Sequence, residues 1–488
     1  MQALLPIDFS QTLNLLIFFT LTTPLVALAS RGRLRRAVEV YASIGLSLSL
    51  IAAAIQLSAK PLQIVFSQPL SSSSQIFVDS LSSFMAVIYT LIGLLAAVYS
   101  MEYIEERKRE FYPLLLAMVT GMVGVVFSGD LASFFVFWEL MSLSAYVLVA
   151  FYYSRWEAVE ASFKYLIMSS AGTASIMLGF SLLYGITGTL NLQVLSQALS
   201  SGTLAGNSWI YVAIALLIAG LGVNAAMVPF HSWLPDAHPA APSPVSAMLS
   251  GVVIKTGVYA LFRFLTLLFP MKMYGWQLGL LLFALVTMTV GNLMAMMQED
   301  IKRLLAFSSI AHIGYIVFGL SIGTVAGLAG GLLHILNHAS MKALLFLSAG
   351  AFIHVVGTRK LSELSGIGRR MPVTGVAFAV GAFSLAGLPG LNSFVSEFQI
   401  IASAVDAGLV IFAVVMILNV LLGAAYYLRV IQIVFLRPLT SVSEKASEAP
   451  ALMLAPLIVL AVLAVVIGVY PAPFLNLVTS IARNLLSP

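Results

Sequence analysis

The sequence contains no cysteine and very little charge. Only 9% of its 488 residues are Asp, Glu, Lys or Arg, 60% are hydrophobic, and the mean hydropathy is +1.02. The absence of cysteine excludes disulfides, cysteine-ligated iron–sulfur clusters and thiol catalysis in this chain. The lack of charge excludes a water-soluble globule, because a chain of this length needs more polar side chains to cover its surface. The composition therefore predicts a polytopic membrane protein.

A basic stripe interleaved with aromatic residues is also missing, although the sequence pI is about 9.3. A nucleic-acid-binding surface would need such a stripe, so no nucleic-acid partner is expected. Basic loops kept on one side of a lipid bilayer explain the excess instead. No cleavable signal peptide is expected, because the first apolar run, residues 13–29, follows an acidic segment and is itself followed by arginines.

Long apolar windows recur along the chain. A helix of about 20 apolar residues crosses ~30 Å of hydrocarbon, and fourteen such windows lie near residues 20, 48, 90, 121, 142, 171, 219, 256, 286, 310, 340, 388, 420 and 464. With both termini outside, sixteen of the 24 Lys and Arg fall in cytoplasmic loops, and only Lys60, Lys272 and Arg483 fall in the opposite ones. This asymmetry follows the positive-inside rule. We therefore predict an all-α membrane protein with about 14 transmembrane helices.

Two of the predicted helices are interrupted. Pro229 lies in the seventh window, where it removes a helical hydrogen bond, and Gly387, Pro389 and Gly390 interrupt the twelfth. Broken helices at membrane depth are tolerated where protein or water satisfies the freed backbone groups. Because the breaks are five helices apart, helices 4–8 and 9–13 are predicted to form inverted five-helix repeats that bracket a site near the midplane.

These repeats divide the chain into four predicted regions. Residues 1–110 carry helices 1–3, residues 111–270 the first repeat, residues 271–436 the second repeat, and residues 437–488 a loop and helix 14. Sequence identity between the two halves is weak, so the spacing of the breaks is the evidence for the repeat.

Ionisable residues inside the predicted helices mark the candidate site, because a charge at the bilayer centre costs about 2.5–3.5 kcal/mol on insertion scales. The clearest acids are Glu139 in helix 5 and Glu397 in helix 12. Lys255 has no surface within reach, which favours a functional role, whereas the ammonium of Lys164 could reach the cytoplasmic side. For Glu139 the alternative is a structural carboxylate satisfied by a hydroxyl. The basic residues inside helices are Lys164, Lys255, Arg263, Lys342 and Arg429.

Predicted helix 11 carries three polar residues on one face, since His334, His338 and Lys342 are spaced four apart. Two such histidines suit a metal, but no third ligand is near in sequence, so no metal is expected. A proton relay is favoured, because imidazole titrates near neutral pH. His312 on helix 10 and His231 after the first break are further candidates for gating or relay.

Five segments carry a family resemblance. They are WEL around Glu139, VPFHSWLPDAHPAAPSPVSA, EDIKRLLAFSSIAHIGY, HASMKALLFLSAG and GLPGLNSFVSEF. Together they resemble the antiporter-like subunits shared by respiratory complex I, Mrp sodium/proton antiporters and membrane-bound hydrogenases, over roughly residues 80–435. The resemblance implies an ion-translocating subunit of a larger membrane complex, with two half-channels joined by a polar central axis.

The resemblance also implies residue roles. Glu139 matches the family's helix 5 glutamate, Lys255 its helix 8 lysine, and Glu397 its helix 12 ionisable residue, which is Glu or Lys. The polar face of helix 11 matches at His334, His338 and Lys342.

One position departs from the family pattern. Where helix 7 usually carries a lysine, this sequence has Asn224, so Glu139 lacks its usual partner. Lys164 is a candidate replacement, although its expected depth differs from that of Glu139 by roughly 10 Å. A bridging water or a helix tilt would then be needed.

The expected function is proton translocation, or sodium/proton exchange, in a redox-driven complex of the complex I or membrane-bound hydrogenase type. No cofactor is expected on this chain, and iron–sulfur clusters or other redox centres are expected on partner subunits. The implied partners are other membrane subunits, including further antiporter-like ones, in the cytoplasmic membrane of a prokaryote. Two alternatives stay open: a subunit of a non-redox Mrp-type sodium/proton antiporter, and a largely structural subunit with an inactive first half-channel.

Overall fold

The computed structural model describes residues 11–30, 36–59, 61–66 and 74–486. Within these ranges the chain forms twenty α-helices and one two-stranded antiparallel sheet. Lys60, Arg31, Arg33 and Arg35, which entered the count of basic residues, lie outside the described residues.

The N-terminal region consists of membrane helices and a short hairpin. Its elements are α1 (Gln11–Ala29), α2 (Ala37–Leu57), β1 (Leu62–Phe66), β2 (Ser74–Val78) and α3 (Ser80–Tyr103). Asp79 caps α3, because its carboxylate accepts a hydrogen bond from the backbone N–H of Ser82 at 2.8 Å. The hairpin is a departure from the predicted all-helical chain, and it lies between membrane windows.

The first series of helices follows. It comprises α4 (Lys108–Phe127), α5 (Leu131–Val149), α6 (Trp156–Thr187), α7 (Leu192–Ser200), α8 (Ser208–Asn224), α9 (Leu234–Ala240), α10 (Ser243–Met248) and α11 (Ile254–Leu268). A π-helical turn, Leu249–Val253, joins α10 to α11 in one span.

The second series and the C-terminal region complete the described chain. They comprise α12 (Met271–Tyr274), α13 (Gln277–Met296), α14 (Ile301–Ser321), α15 (Val325–Val356), α16 (Pro372–Leu385), α17 (Asn392–Asp406), α18 (Val410–Ile431), α19 (Ala451–Val469) and α20 (Ala472–Leu486). A π-helical turn, Gln432–Leu436, extends α18.

The two series present their elements in the same order. In each, the third membrane-spanning helix is unusually long, since α6 and α15 both have 32 residues. In each, the next helix is broken and the last one contains a π-helical turn. An offset of five spans reverses the direction of a helix in the membrane, so this order agrees with the predicted inverted repeats.

Twelve helices of the described ranges are long and apolar enough to cross a membrane. Two further apolar helices, α8 and α16, have only 17 and 14 residues because they stop at the breaks. The multi-pass membrane fold is confirmed, while the exact number of fourteen spans stays a prediction.

Side chains satisfy the backbone groups that the breaks expose. After α8, the indole Nε1 of Trp233 donates to the Val223 carbonyl at 2.8 Å, and the Val228 N–H donates to Thr287 Oγ1 at 3.1 Å. After α16, the Ser384 hydroxyl accepts from the Ser393 N–H at 3.3 Å. These hydrogen bonds thus stabilise the chain at the breaks around Pro229 and Pro389.

The span from α10 to α11 and the apolar length of α14 are buried inside the chain. In contrast, α1, α18 and α19 expose apolar side chains such as Leu21, Ile411 and Val462. Apolar exposure of this kind suits lipid or neighbouring subunits. These two spans, one from each series, are thus enclosed by the rest of the chain, and the candidate site is found around them.

Candidate functional site

Glu397 on α17 is the most isolated acid of the described chain. It is 2% exposed, and neither carboxylate oxygen has a hydrogen-bond partner among the described residues. A Cβ placed on Gly387 would lie 2.8 Å from Glu397 Oε2. Gly387 has φ +76°, a conformation that strains an L side chain. The glycine therefore both turns the chain at the break and leaves room for the carboxylate.

A histidine pair lies next to this carboxylate. His312 Nδ1 on α14 is 3.1 Å from His334 Nε2 on α15, and His334 Nδ1 is 2.9 Å from Ser396 Oγ on α17. Ser396 donates its own hydrogen to the Ser393 carbonyl at 2.9 Å, so it accepts from His334. Neutral His334 then accepts at Nε2, and His312 is the donor. These hydrogen bonds connect three helices.

His338 and Lys255 continue the buried polar line. His338 stacks on His312, with ring centroids 4.9 Å apart, and its ring nitrogens have no partner in the described part of the chain. Lys255 is fully buried, and its Nζ donates to the Ser250 carbonyl in the π-helical turn. The Ser250 hydroxyl in turn lies 2.5 Å from Ser309 Oγ on α14. Lys255 is thereby linked to the helix that carries His312.

Lys342 is the second fully buried lysine. Its Nζ donates to the Leu305 carbonyl at 3.1 Å, to the Tyr427 hydroxyl at 3.2 Å and to the Ser308 hydroxyl. All of these partners, like the partner of Lys255, are neutral. A permanently charged buried lysine normally requires a paired carboxylate. Since neither lysine has one among these partners, we expect the protonation of both to respond when a neighbouring group gains or loses a proton.

The structure brings together six of the predicted residues, Lys255 from the first series and His312, His334, His338, Lys342 and Glu397 from the second. Sequence reasoning missed the hydroxyl groups that connect them. Ser396 directly precedes Glu397, and Ser308 and Ser309 lie within four residues of His312. Small hydroxyl residues within one helical turn of an ionisable group were the available signal.

The candidate residues of the first half, Glu139 and Asn224, form no such line of hydrogen-bonded groups among the described residues. Glu139 is half-buried on α5, and the neighbouring Trp138 donates to the Thr173 hydroxyl on α6 at 3.3 Å. Asn224 ends α8 and is 1% exposed, and neither atom of its amide has a partner among the residues described. Its Oδ1 would lie 2.8 Å from a Cβ placed on Gly257, so the amide packs closely against α11.

The structure does not bring Lys164 to Glu139. Its half-exposed ammonium forms ion pairs with Glu160 at 2.9 Å and Asp236 at 3.0 Å. Lys164 is therefore not the replacement for the missing helix 7 lysine in this structure. The physical reason is its place near a helix end, where a long side chain reaches water and carboxylates instead of the interior.

Two histidines of the first break differ in burial. His231 is partly exposed, its Nδ1 has no hydrogen-bond partner among the described residues, and its gating or relay role stays a prediction. His238 on α9 is fully buried, stacks on Phe346 with centroids 4.4 Å apart, and has no hydrogen-bond partner in the described chain. The burial of His238 was not expected, because the proline-rich sequence around it predicts a loop.

Arg263 differs from the buried lysines because an acid neutralises it. Two guanidinium nitrogens donate to the Asp79 carboxylate at 2.7 Å each. Burial opposes ionisation of Asp79, but the guanidinium outweighs it and lowers the pKa of that carboxyl below its ordinary value. The pair therefore joins α3 to α11 and leaves Arg263 outside the line of unpaired groups.

The broken helices and the buried line of lysines, histidines and carboxylate define an antiporter-like membrane subunit. Residues 128–423 match the family described as "NADH:quinone oxidoreductase/Mrp antiporter, TM", and residues 65–112 match "NADH-Ubiquinone oxidoreductase (complex I), chain 5 N-terminus". The chain belongs to this NADH:quinone oxidoreductase/Mrp antiporter family. The F(420)H(2) dehydrogenase subunit N of Methanosarcina mazei is 35% identical over 432 residues, which is 86% of each chain.

Two solved structures share the fold. A chain of the Mrp complex from Dietzia sp. DQ12-45-1b superimposes with a TM-score of 0.88 and 29% identity, covering 98% of both chains. A chain of the membrane-bound sulfane sulfur reductase, an archaeal respiratory membrane complex, gives a TM-score of 0.89 and 28% identity, covering 99% of this chain and 98% of that one. The resemblance read from the motifs and the predicted type of subunit are thus confirmed.

Proposed function

We propose that this chain moves protons across the membrane in a redox-driven complex, and that Glu397 is the last proton-carrying group of its path. The observation that carries the proposal is the isolation of Glu397, a buried carboxylate without a partner among the described residues. An ionised carboxylate in such a place is costly unless a proton, water or cation meets it. The adjacent histidine pair supplies groups that accept and donate protons.

The proposed transfer needs only local changes of charge. Protonation of one of two coupled buried groups disfavours protonation of the other, so a proton that arrives at one group drives release from the next. A charge change in a neighbouring subunit would start the sequence. The path runs through Glu139, Asn224 with water, Lys255, Lys342, His338, His312, His334 and Glu397.

The names of related proteins favour a complex in which a redox reaction drives the proton transport. One relative is a subunit of an F(420)H(2) dehydrogenase and one structural neighbour belongs to a respiratory sulfane sulfur reductase. Because this chain has no cysteine, cysteine-ligated iron–sulfur clusters would lie on its partner subunits. The complex itself would lie in the cytoplasmic membrane of a prokaryote. Mass spectrometry of the complex purified through a tag on this chain is expected to find iron–sulfur proteins. Recovery of Mrp-type membrane subunits alone would replace this proposal with the non-redox antiporter, which the Dietzia structure supports.

Proton transport is expected to need no sodium. Imidazole and lysine groups exchange protons readily, whereas Na⁺ prefers oxygen ligands, which this path offers at few points. In proteoliposomes that contain the purified complex, the electron-donor-driven pH change should proceed at its full rate in sodium-free buffer. A pH-sensitive dye measures it, and an uncoupler that collapses the signal is the control. A rate that rises with sodium concentration would contradict proton transport as the primary activity.

Asn224 favours a second candidate function, a subunit whose first half-channel is inactive. The two candidates differ in the effect of Glu139→Gln, which removes the acid of the first half. If the first half conducts, we expect the number of protons moved per electron pair to fall, because the isosteric amide cannot carry a proton. Stopped-flow measurement of proton and electron transfer in the same vesicles gives this ratio. An unchanged ratio would establish the second candidate.

A further inference from the structure

We propose that His312, His334 and Glu397 form a binding site for a borderline-soft divalent cation such as Zn²⁺. One ligand atom from each residue lies within 4.8 Å of the others, and all three residues are buried. Glu397 is the independent indication of a ligand, because its buried oxygens have no partner among the described residues. The site goes beyond the proton path and does not depend on it, since coordination requires only this geometry.

The ligand set selects the class of cation. Two imidazole nitrogens and one carboxylate oxygen bind Zn²⁺ in many proteins, with a fourth position left for water. Imidazole also suits Cu²⁺ and Ni²⁺, whereas Mg²⁺ and Ca²⁺ prefer an all-oxygen shell. The cluster is therefore a poor site for these harder cations and a good one for zinc.

The distances fit a tetrahedral ion with little movement. Bonds of about 2.0–2.1 Å place tetrahedral ligand atoms about 3.3 Å apart. His312 Nδ1 and His334 Nε2 are already 3.1 Å apart. Glu397 can close the remaining gap by side-chain rotation, because it breaks no hydrogen bond with the described chain when it turns.

The hydrogen bonds around the cluster prepare it for a metal. His334 donates through Nδ1 to Ser396, which leaves Nε2 free to coordinate, an arrangement that orients metal-binding imidazoles. His312 coordinates through Nδ1 once its ring hydrogen has moved to Nε2. Glu397 binds as the carboxylate and releases its proton to solvent if it carries one. Both rings stay neutral throughout.

The broken helix offers an approach to the site. Leu388, Pro389 and Gly390 are exposed on the surface of the chain, and the adjoining Gly387 lies against the carboxylate of Glu397. The ligands are thus separated from an exposed turn by a single residue without a side chain. A bound cation would occupy both histidines and the acid, so it would act as a reversible block.

Zinc binding by the purified complex tests the site. Equilibrium dialysis with Zn²⁺ is expected to show that His312→Ala and His334→Ala each raise Kd about 100-fold, the effect of losing one ligand. Ser396→Ala is expected to raise Kd roughly 10-fold, because it frees the orientation of His334. His238→Ala is the control, since it removes a fully buried histidine that stacks on Phe346 and lies outside both the three-ligand cluster and the proposed proton path, and Kd should not change.

A second measurement does not depend on the variants folding. Zinc-edge X-ray absorption of the unmodified complex should show two imidazole nitrogens and oxygen ligands at about 2.0–2.2 Å. Unchanged Kd in both ligand variants, an equal loss in His238→Ala, or a spectrum without imidazole would each overturn the proposal. These readouts record binding alone, so a failure of the proposed proton transport would leave them unaffected.

Discussion

Glu397→Gln abolishes proton transport while the subunit still assembles into its complex: this is the largest effect we expect. The amide has nearly the same shape as the carboxyl group, so it keeps the close packing against Gly387. It cannot take up or release a proton, however, and no other acid of the described chain lies in the histidine cluster. Loss of a proton-transfer group of this kind lowers a rate by about 100-fold or more.

The measurement is the donor-driven pH change in proteoliposomes, normalised to the amount of assembled complex. Asp406→Asn is the matched control, because it removes an exposed acid at the end of the same helix, α17. Blue-native electrophoresis then shows whether each variant is incorporated. Proton transport at the normal rate in an assembled Glu397→Gln complex would remove Glu397 from the path.

Lys255→Met is expected to have an effect of similar size. Methionine fills a comparable volume, so the substitution removes the ammonium group without opening a large cavity in the buried α11. The Ser250 carbonyl loses its lysine donor, and the proposed path loses the group that connects its two halves. We expect proton transport to fall about 100-fold, the scale expected for loss of a proton carrier, with little loss of assembled complex.

Lys164→Met is the control for the Lys255→Met variant. It removes two ion pairs, with Glu160 and Asp236, that lie at a half-exposed position. Such surface pairs contribute little to stability because water and salt screen them, so transport should stay close to that of the unaltered complex. Equal losses in the two variants would mean that any lysine removal disturbs the subunit, and Lys255 would then be a structural charge.

Much of the fold was predictable because its causes are local in sequence. Apolar windows indicate membrane helices wherever they occur, and prolines and glycines stop them: α8 ends five residues before Pro229, and α16 ends two residues before Gly387. The hairpin of β1 and β2 was not predicted, because it lies between such windows. The sequence stays apolar beyond both breaks, so the hydropathy windows counted α8 and α16 as full spans although the helices themselves stop early.

The sequence by itself determined the membrane class, the family and the ionisable residues of the second half, because a buried charge is costly enough to be conspicuous in any apolar segment. Tertiary structure alone decided which of them meet. His312, His334 and Glu397 come from three helices whose facing sides are set by packing, and no local spacing reveals that a third ligand joins two histidines. Tertiary structure also decided the partners of Lys164. Because it lies near a helix end, its ammonium pairs with Glu160 and Asp236 at the surface instead of with Glu139.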